Sequence, residues 1–311
     1  MTARMKEFPP GRGYVKLPTS SRADALAGIA VYSASRPAAL WAQRAAWGLV
    51  RLLGPHALPG RARAWVTPLP EPEWQGLLAV LADTVGGFDA LAAYQPRQTT
   101  RSGFCLLLLR GRVSVGFVKV RPDEGGRLAN EQTALDRICA FRPAGFRVPE
   151  PVAAGSFEGW RYLVTRALPP RLHRPPVAPP IEAITGEIVA ALETLPRPAE
   201  LPAHWRPMHG DFTPWNLRES GYGLFLIDWE DAGWAPPRAD ELYYRATESA
   251  LRRRPPAPVD APEAAGFWWD RVAGRAPSIE DEPLRRGMLD ALRALGATDV
   301  QPSAQQMRAR P

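Results

Sequence analysis

The stretch MHGDFTPWNLRESGYGLFLIDWEDAGW, residues 208–234, gathers a histidine, an asparagine and several carboxylates on either side of a hairpin pattern. Asp211 and Asn216 lie on one loop, and Pro214 between them argues against a helix. Asp228 closes the apolar run LFLID. A hairpin returns the end of that run to the neighbourhood of Asn216, setting an amide oxygen beside a carboxylate. Hard oxygen ligands of this kind suit Mg²⁺, which binds few protein groups and keeps waters and phosphates. Asp211 is then left to accept a proton from a hydroxyl nucleophile. The bland alternative is that these residues cap turns, as Asp and Asn commonly do.

Order and spacing sharpen the choice. H-G-D-x-x-x-x-N, a hairpin and then I-D follow the phosphoryl-transfer pattern H-R-D-x-x-x-x-N with a later metal-binding Asp. That pattern also demands a lysine on an upstream strand and a glutamate on the next helix. GFVKV supplies Lys119 between Val118 and Val120, and ANEQTAL supplies Glu131. A lysine inside an apolar strand is costly unless paired, so a Lys119–Glu131 pair is expected. The competing reading is an edge lysine that reaches water.

These groups need elements to hold them. From Phe88, FDALAAYQP and GFCLLLLRGRVSVGFVKVRP read as strands, the second a hairpin turning at Arg110–Arg112. LANEQTALDRICAF is a helix with Leu128, Leu135 and Ile138 or Cys139 inward. PVAAGSFEGWRYLVTRAL is another hairpin, and IEAITGEIVAALETL a helix after a Pro-rich connector. The chain from about Asp240 to Leu295 reads as mostly helical. Residues 1–85 read as a helical extension. Within them Trp41, Ala45, Leu49 and Leu52 share one helix face, with Arg44 and Arg51 off it. A basic amphipathic helix either lies on a membrane or packs on its own domain, and packing is the expectation.

Bulk properties agree with a globular chain. Its 311 residues, 45% hydrophobic and 23% charged, allow one large or two modest domains. A formal charge of +7 favours anionic partners without choosing among them. Cys105 and Cys139 sit in apolar runs and read as buried thiols, and no C-x-x-C argues for structural zinc. The opening MTARMKEFPPGRG lacks an apolar core, and no stretch reaches the roughly 18 apolar residues of a membrane span. A cytoplasmic protein is expected.

The motifs HGDFTPWN and LIDWEDAGW, with FVKV, NEQTAL and YLVTRAL in support, resemble the aminoglycoside phosphotransferase and choline kinase family. The likeness runs from about Phe88 to Leu295. It implies an α+β, protein-kinase-like two-lobe fold. Residues 86–167 would form a small antiparallel-sheet lobe, 168–296 a larger helical lobe, 1–85 the helical extension and 297–311 a flexible tail. It implies transfer of the γ-phosphoryl group of ATP, with Mg²⁺, to a hydroxyl of a small molecule such as a sugar, aminoglycoside or amino alcohol. Asp211 would be the catalytic base. Asn216 and Asp228 would bind metal. Lys119 would hold phosphates and Glu131 would orient it. The backbone of Thr165, Arg166 and Ala167 would take adenine. Glu230 and Asp231 would lie near metal or substrate, and His209 and Asp240 would brace the catalytic loop.

One departure stands out. Protein kinases use G-x-G-x-x-G, which members of the resembled family often lack, and PRQTTRSGF has a single glycine. Backbone groups of Thr100, Ser102 and Gly103 would cover phosphates, or the segment is a plain hairpin turn. The alternative to an active kinase is a catalytically silent relative that binds a nucleotide or a protein. Nucleic acid is not expected, because the arginines are dispersed rather than striped among aromatics. The run Phe267-Trp268-Trp269 reads as core, or as a stacking surface for a sugar or cation.

Overall fold

The computed structural model describes residues 4–9, 15–32, 34, 36–67, 69–95, 103–122, 125–275 and 282–297. The N-terminal part holds β1 (Arg4–Phe8), β2 (Val15–Pro18), α1 (Arg22–Val31), α2 (Pro37–Leu53), β3 (Arg63–Ala64) and α3 (Glu71–Val85). Next come β4 (Ala90–Tyr94), β5 (Phe104–Arg110), β6 (Val113–Pro122), α4 (Arg127–Phe141), β7 (Pro151–Phe157) and β8 (Trp160–Thr165). The remainder holds α5 (Ile181–Ala191), β9 (Arg206–Met208), β10 (Leu217–Ser220), β11 (Gly223–Leu226), β12 (Gly233–Ala235), α6 (Ala239–Arg252), α7 (Pro262–Ala273) and α8 (Glu282–Ala294).

The chain divides into two compact units. One takes the residues up to 179 together with 215–231; the other takes 180–214 and the chain from 232 onward. The first is built on an eight-stranded antiparallel sheet of order β3-β1-β2-β4-β5-β6-β8-β7. The class is α+β, with α4 crossing from β6 to β7. The sheet is wider than the sequence suggests. Residues 1–85 carry the expected helices, but β1, β2 and β3 extend the sheet beyond β4. Short strands with few β-branched residues leave a weak periodic signal, and their pairing partners supply what propensity lacks.

Both faces of the central strand are covered, so β5 is one continuous buried run from Phe104 to Leu109. Phe104, Leu106 and Leu108 pack with Val118 and Val120 under Trp74, Leu77, Leu78 and Leu81 of α3. Leu107 and Leu109 point the other way, onto Ala27 of α1, Ala90 and Ala92, with Phe117 against them. α1 lies close on this side. A Cβ at Gly28 would stand 2.7 Å from Leu17 Cδ2 and 3.2 Å from Ala92 Cβ.

The apolar face of α2 read from the sequence divides: Trp41 and Leu52 point outward, whereas Leu49, with Ala46 and Trp47, packs on the cluster of Phe8, Leu17 and Val50. Gln43 and Val50 are its buried residues, while Trp41 is 74% and Leu52 75% exposed. A polar contact joins this packing, since Gln43 Nε2 donates to the carbonyls of Ile29 at 2.8 Å and Tyr32 at 2.7 Å.

The second unit is a helical core around α6, α7 and α8. Trp268 is buried there, stacks on Tyr243 with centroids 3.8 Å apart, and donates to Ala239 O at 2.8 Å. The core alternative therefore holds for Trp268, and Phe267 packs edge-on against it.

Candidate active site

β6 exposes alternate residues to one side of the sheet, so Phe117, Lys119 and Arg121 share a face. That face lines a cavity of about 290 Å³ within the first unit. Lys119 Nζ lies 2.8 Å from Glu131 Oε1, 2.6 Å from Asp228 Oδ1 and 3.2 Å from Glu230 Oε1. The pairing with Glu131 expected from the sequence is present, and two further carboxylates join it. Burial alone would lower the lysine's pKa, but Asp228, Glu131 and Glu230 outweigh it and hold the ammonium well above its ordinary value. Glu131 is pushed up by burial against the pull of Lys119. Burial also pushes Glu230 up, but Lys119 and Arg121 overcome it and keep that carboxyl below the usual range.

Local structure aims these groups. Asn216 precedes β10, and its carbonyl accepts from Ile227 N at 3.1 Å, continuing the β10–β11 ladder. The hairpin thus sets Asn216 beside the strand end that bears Asp228, and both line the cavity. Asp228 has φ 71, a left-handed conformation that short polar side chains tolerate and that clusters at functional sites. Its neighbour Trp229 is fully buried, stacks on Phe146 and donates Nε1 to Leu226 O. The Trp229 N–H donates to Glu131 Oε1 at 3.3 Å, and Asn130 Nδ2 donates to Glu230 O at 3.0 Å. One turn of α4 therefore clamps residues 229–230 and orients Lys119.

The acids beyond Asp228 have protein partners. Glu230 pairs with Arg121 at 2.9 Å, and Asp231 with Arg127 at 2.6 Å. Side-chain oxygens of Glu131, Asp228 and Glu230 all lie within 4.8 Å of one another. An all-oxygen set of this size fits a hard divalent cation. Glu131 and Glu230 enter this group beside Asp228, whereas the sequence pairs Asp228 with Asn216.

Thr165 ends β8 opposite Phe117, and Thr165 and Arg166 line the cavity. The Arg166 N–H is already given to Glu150 O at 2.8 Å. Ala167 packs beside Leu107 and Phe117. Thr100 and Ser102 lie outside the described residues. Gly103 has φ 111, and a Cβ there would stand 2.2 Å from Val120 O. Close approach of β6 therefore requires the glycine on its own account.

Sequence reasoning missed three contributors. Arg121 was signalled by strand alternation from Lys119. The wall formed by Ala27, Ala30 and Val31 of α1 was not signalled, because α1 lies far upstream in sequence. Arg218 is the third. It is 1% exposed, lines the cavity, and donates to Ala34 O at 3.0 Å and His173 O at 2.8 Å. Burial pulls its pKa down to about 10. It ties the segment after α1 to the Pro-rich connector.

His209, Asp211 and Asp240 belong to the second unit. Asp240, in the first turn of α6, is buried and accepts from His209 N at 2.6 Å and Gly210 N at 3.1 Å. The Asp211 N–H donates to His209 Nδ1 at 3.1 Å. Burial raises Asp240 to about 6 in spite of the two N–H donors. The loop that carries Asp211 is thus braced from both sides.

Residues 196–277 match the model of the phosphotransferase enzyme family, a segment that contains the whole Asp211–Asn216–Asp228 series. No curated protein sequence matches the chain. Among solved structures, a thermostable mutant of aminoglycoside phosphotransferase APH(4)-Ia with ADP and hygromycin B is 11% identical, over 70% of this chain and 89% of that one, with TM-score 0.41. A putative fructosamine-3-kinase from Haemophilus somnus is 10% identical, over 71% and 97%, with TM-score 0.43. Aminoglycoside phosphotransferase APH(3'')-Id from Streptomyces rimosus, with ADP and streptomycin, is 16% identical, over 73% and 99%, with TM-score 0.40.

Proposed function

We propose that this chain is an ATP- and Mg²⁺-dependent phosphotransferase that moves the γ-phosphoryl group to a hydroxyl of a small molecule. The observation that carries the reading is the cavity-facing cluster of Lys119, Glu131 and Asp228, drawn from β6, α4 and the exit of β11. A buried, cavity-facing cluster of ionisable groups with strongly perturbed protonation is a candidate functional site. The family match over residues 196–277 supports the same chemistry.

In this reading Lys119 turns from its carboxylates toward the phosphates, and Glu131 keeps its direction. Asp228, with Asn216, Glu131 or Glu230, would hold the metal, which would supply charge neutralisation at the phosphates. Thr165 to Ala167 border the base. Asp211 aligns the acceptor hydroxyl and takes its proton as the oxygen–phosphorus bond forms. The bond from the γ-phosphorus to the bridging oxygen breaks, and ADP leaves. Catalysis is then mostly positioning and charge neutralisation.

The acceptor class stays broad: a sugar, an aminoglycoside or an amino alcohol. Glu241 is buried on Arg238, and Glu248 pairs with Arg252, so neither supports a polycation site. Calorimetric titration of ATP with and without Mg²⁺ tests the reading. Binding that needs both Mg²⁺ and Lys119 is expected. Absence of binding at millimolar nucleotide would return the weight to a catalytically silent relative.

A further inference from the structure

We propose that the outward face of α2 is a docking surface for an anionic phospholipid membrane. Trp41, Ala45, Gly48 and Leu52 recur at spacings of three and four, so they form one stripe along the helix. This stripe is the side opposite the buried Gln43 and Val50. Trp41 and Leu52 are about three-quarters exposed, and Leu53 is 69% exposed. Large apolar side chains in water over two ends of one helix are unusual for a surface with no partner.

The charge of the chain that carries the stripe points to the partner, the exposed acid of the adjoining β1, Glu7, being paired with Lys16. Between Asp24 and Glu71 no acidic residue occurs, although the chain of 311 residues holds 32. The same stretch holds Arg36, Arg44, Arg51, Arg61 and Arg63. Arg44 and Arg51 lie on α2 and are exposed beside the stripe. The turn after α2 is tied to the sheet edge, because Lys6 Nζ donates to His56 O and Leu58 O. β3, with Arg63 exposed, pairs with β1 at that edge.

Two needs must be met at once: burial of indole and isobutyl groups, and anionic charge beside them. A nucleic-acid backbone meets only the second. The interface of an anionic bilayer meets both, with hydrocarbon below the headgroups and negative charge among them. A helix lying in that plane buries its apolar stripe and leaves its arginines at headgroup level. No helix among the described residues is long and apolar enough to cross a membrane, so the contact is peripheral.

The test is co-sedimentation of the full chain with vesicles of phosphatidylcholine alone and of phosphatidylcholine mixed with phosphatidylglycerol. Partition into the anionic vesicles is expected, weakened by high salt and at least roughly tenfold poorer on the neutral ones. Trp41→Ser with Leu52→Ser should lower it by roughly tenfold or more, as should Arg44→Glu with Arg51→Glu. These side chains are exposed, so a thermal melt should show both variants folded. Failure to sediment with anionic vesicles at low salt would overturn the proposal. Equal binding to neutral vesicles, or unchanged binding by folded variants, would do the same. So would a dimer that the Trp41→Ser, Leu52→Ser variant converts to monomer, because the stripe would then belong to a second copy.

Discussion

Two buried carboxylates solve the same problem in opposite ways. Glu131, in the sheet unit, sits against Lys119 in a cluster with Asp228 and Glu230. Asp240, in the helical unit, faces two backbone N–H groups. The first arrangement balances charge with charge, and under the proposed function its partners exchange for phosphate or a cation. The second balances charge with fixed dipoles, so the carboxyl can only hold a loop in shape. A site that must bind and release a charged ligand needs the first kind. A loop that presents Asp211 in one geometry, as the proposed function asks, needs the second.

The largest expected effect separates chemistry from both. Asp211→Asn should lower the rate of ATP turnover by roughly 10²–10⁴-fold while calorimetry shows nucleotide still bound. A variant with the parent's turnover would remove Asp211 from the mechanism. Next, Lys119→Met should cost about 3–5 kcal/mol in urea unfolding, since it leaves buried carboxylates short of a cation. Added Mg²⁺ should restore part of that loss, because the oxygens of Glu131, Asp228 and Glu230 can share an ion. An Mg²⁺-indifferent Lys119→Met protein would show that the cluster is merely structural.

Asp240→Ala should cost about 1–3 kcal/mol for each backbone donor left without an acceptor, with no recovery from Mg²⁺. Recovery there would erase the contrast between the two sites. The pH dependence sharpens it. Asp240 is raised to about 6, so the folded state holds a proton that the unfolded state has released. Its contribution is fully present below the ordinary aspartate value and is lost as pH rises through about 6. Unfolding free energies of the parent measured across that window should fall relative to those of Asp240→Asn, and parallel curves would contradict the assignment. The smallest effect belongs to the exposed pair of Arg166 and Glu150, 2.7 Å apart. Arg166→Ala should change stability by under about 1 kcal/mol.

Many of the candidate residues of both units were legible. Val118 and Val120 around Lys119 revealed a buried strand, and the spacing of Asp211, Asn216 and Asp228 revealed a loop and hairpin. These signals are local, because strand alternation and turn chemistry act over a few residues. Arg121 was within reach of the same alternation. Arg218 was not, because nothing in LRES marks an arginine as buried until the carbonyls of Ala34 and His173 are in place. The α2 stripe shows a different failure. Periodicity finds an apolar face but cannot tell which neighbour, if any, covers it.

The amino-acid sequence by itself determined which groups exist, their order, and the strands, turns and helices that carry them. The tertiary structure alone decided their partners. Lys119 meets Asp228 across 109 residues of chain, and α1, far upstream in sequence, lines the same cavity. It also decided that three short N-terminal strands widen the sheet and that Gln43, not Trp41, turns inward. The physical reason is that local preferences are worth tenths of a kilocalorie per residue. Burial, pairing of buried charge and satisfaction of buried carbonyls are worth more, and they depend on contacts distant in sequence.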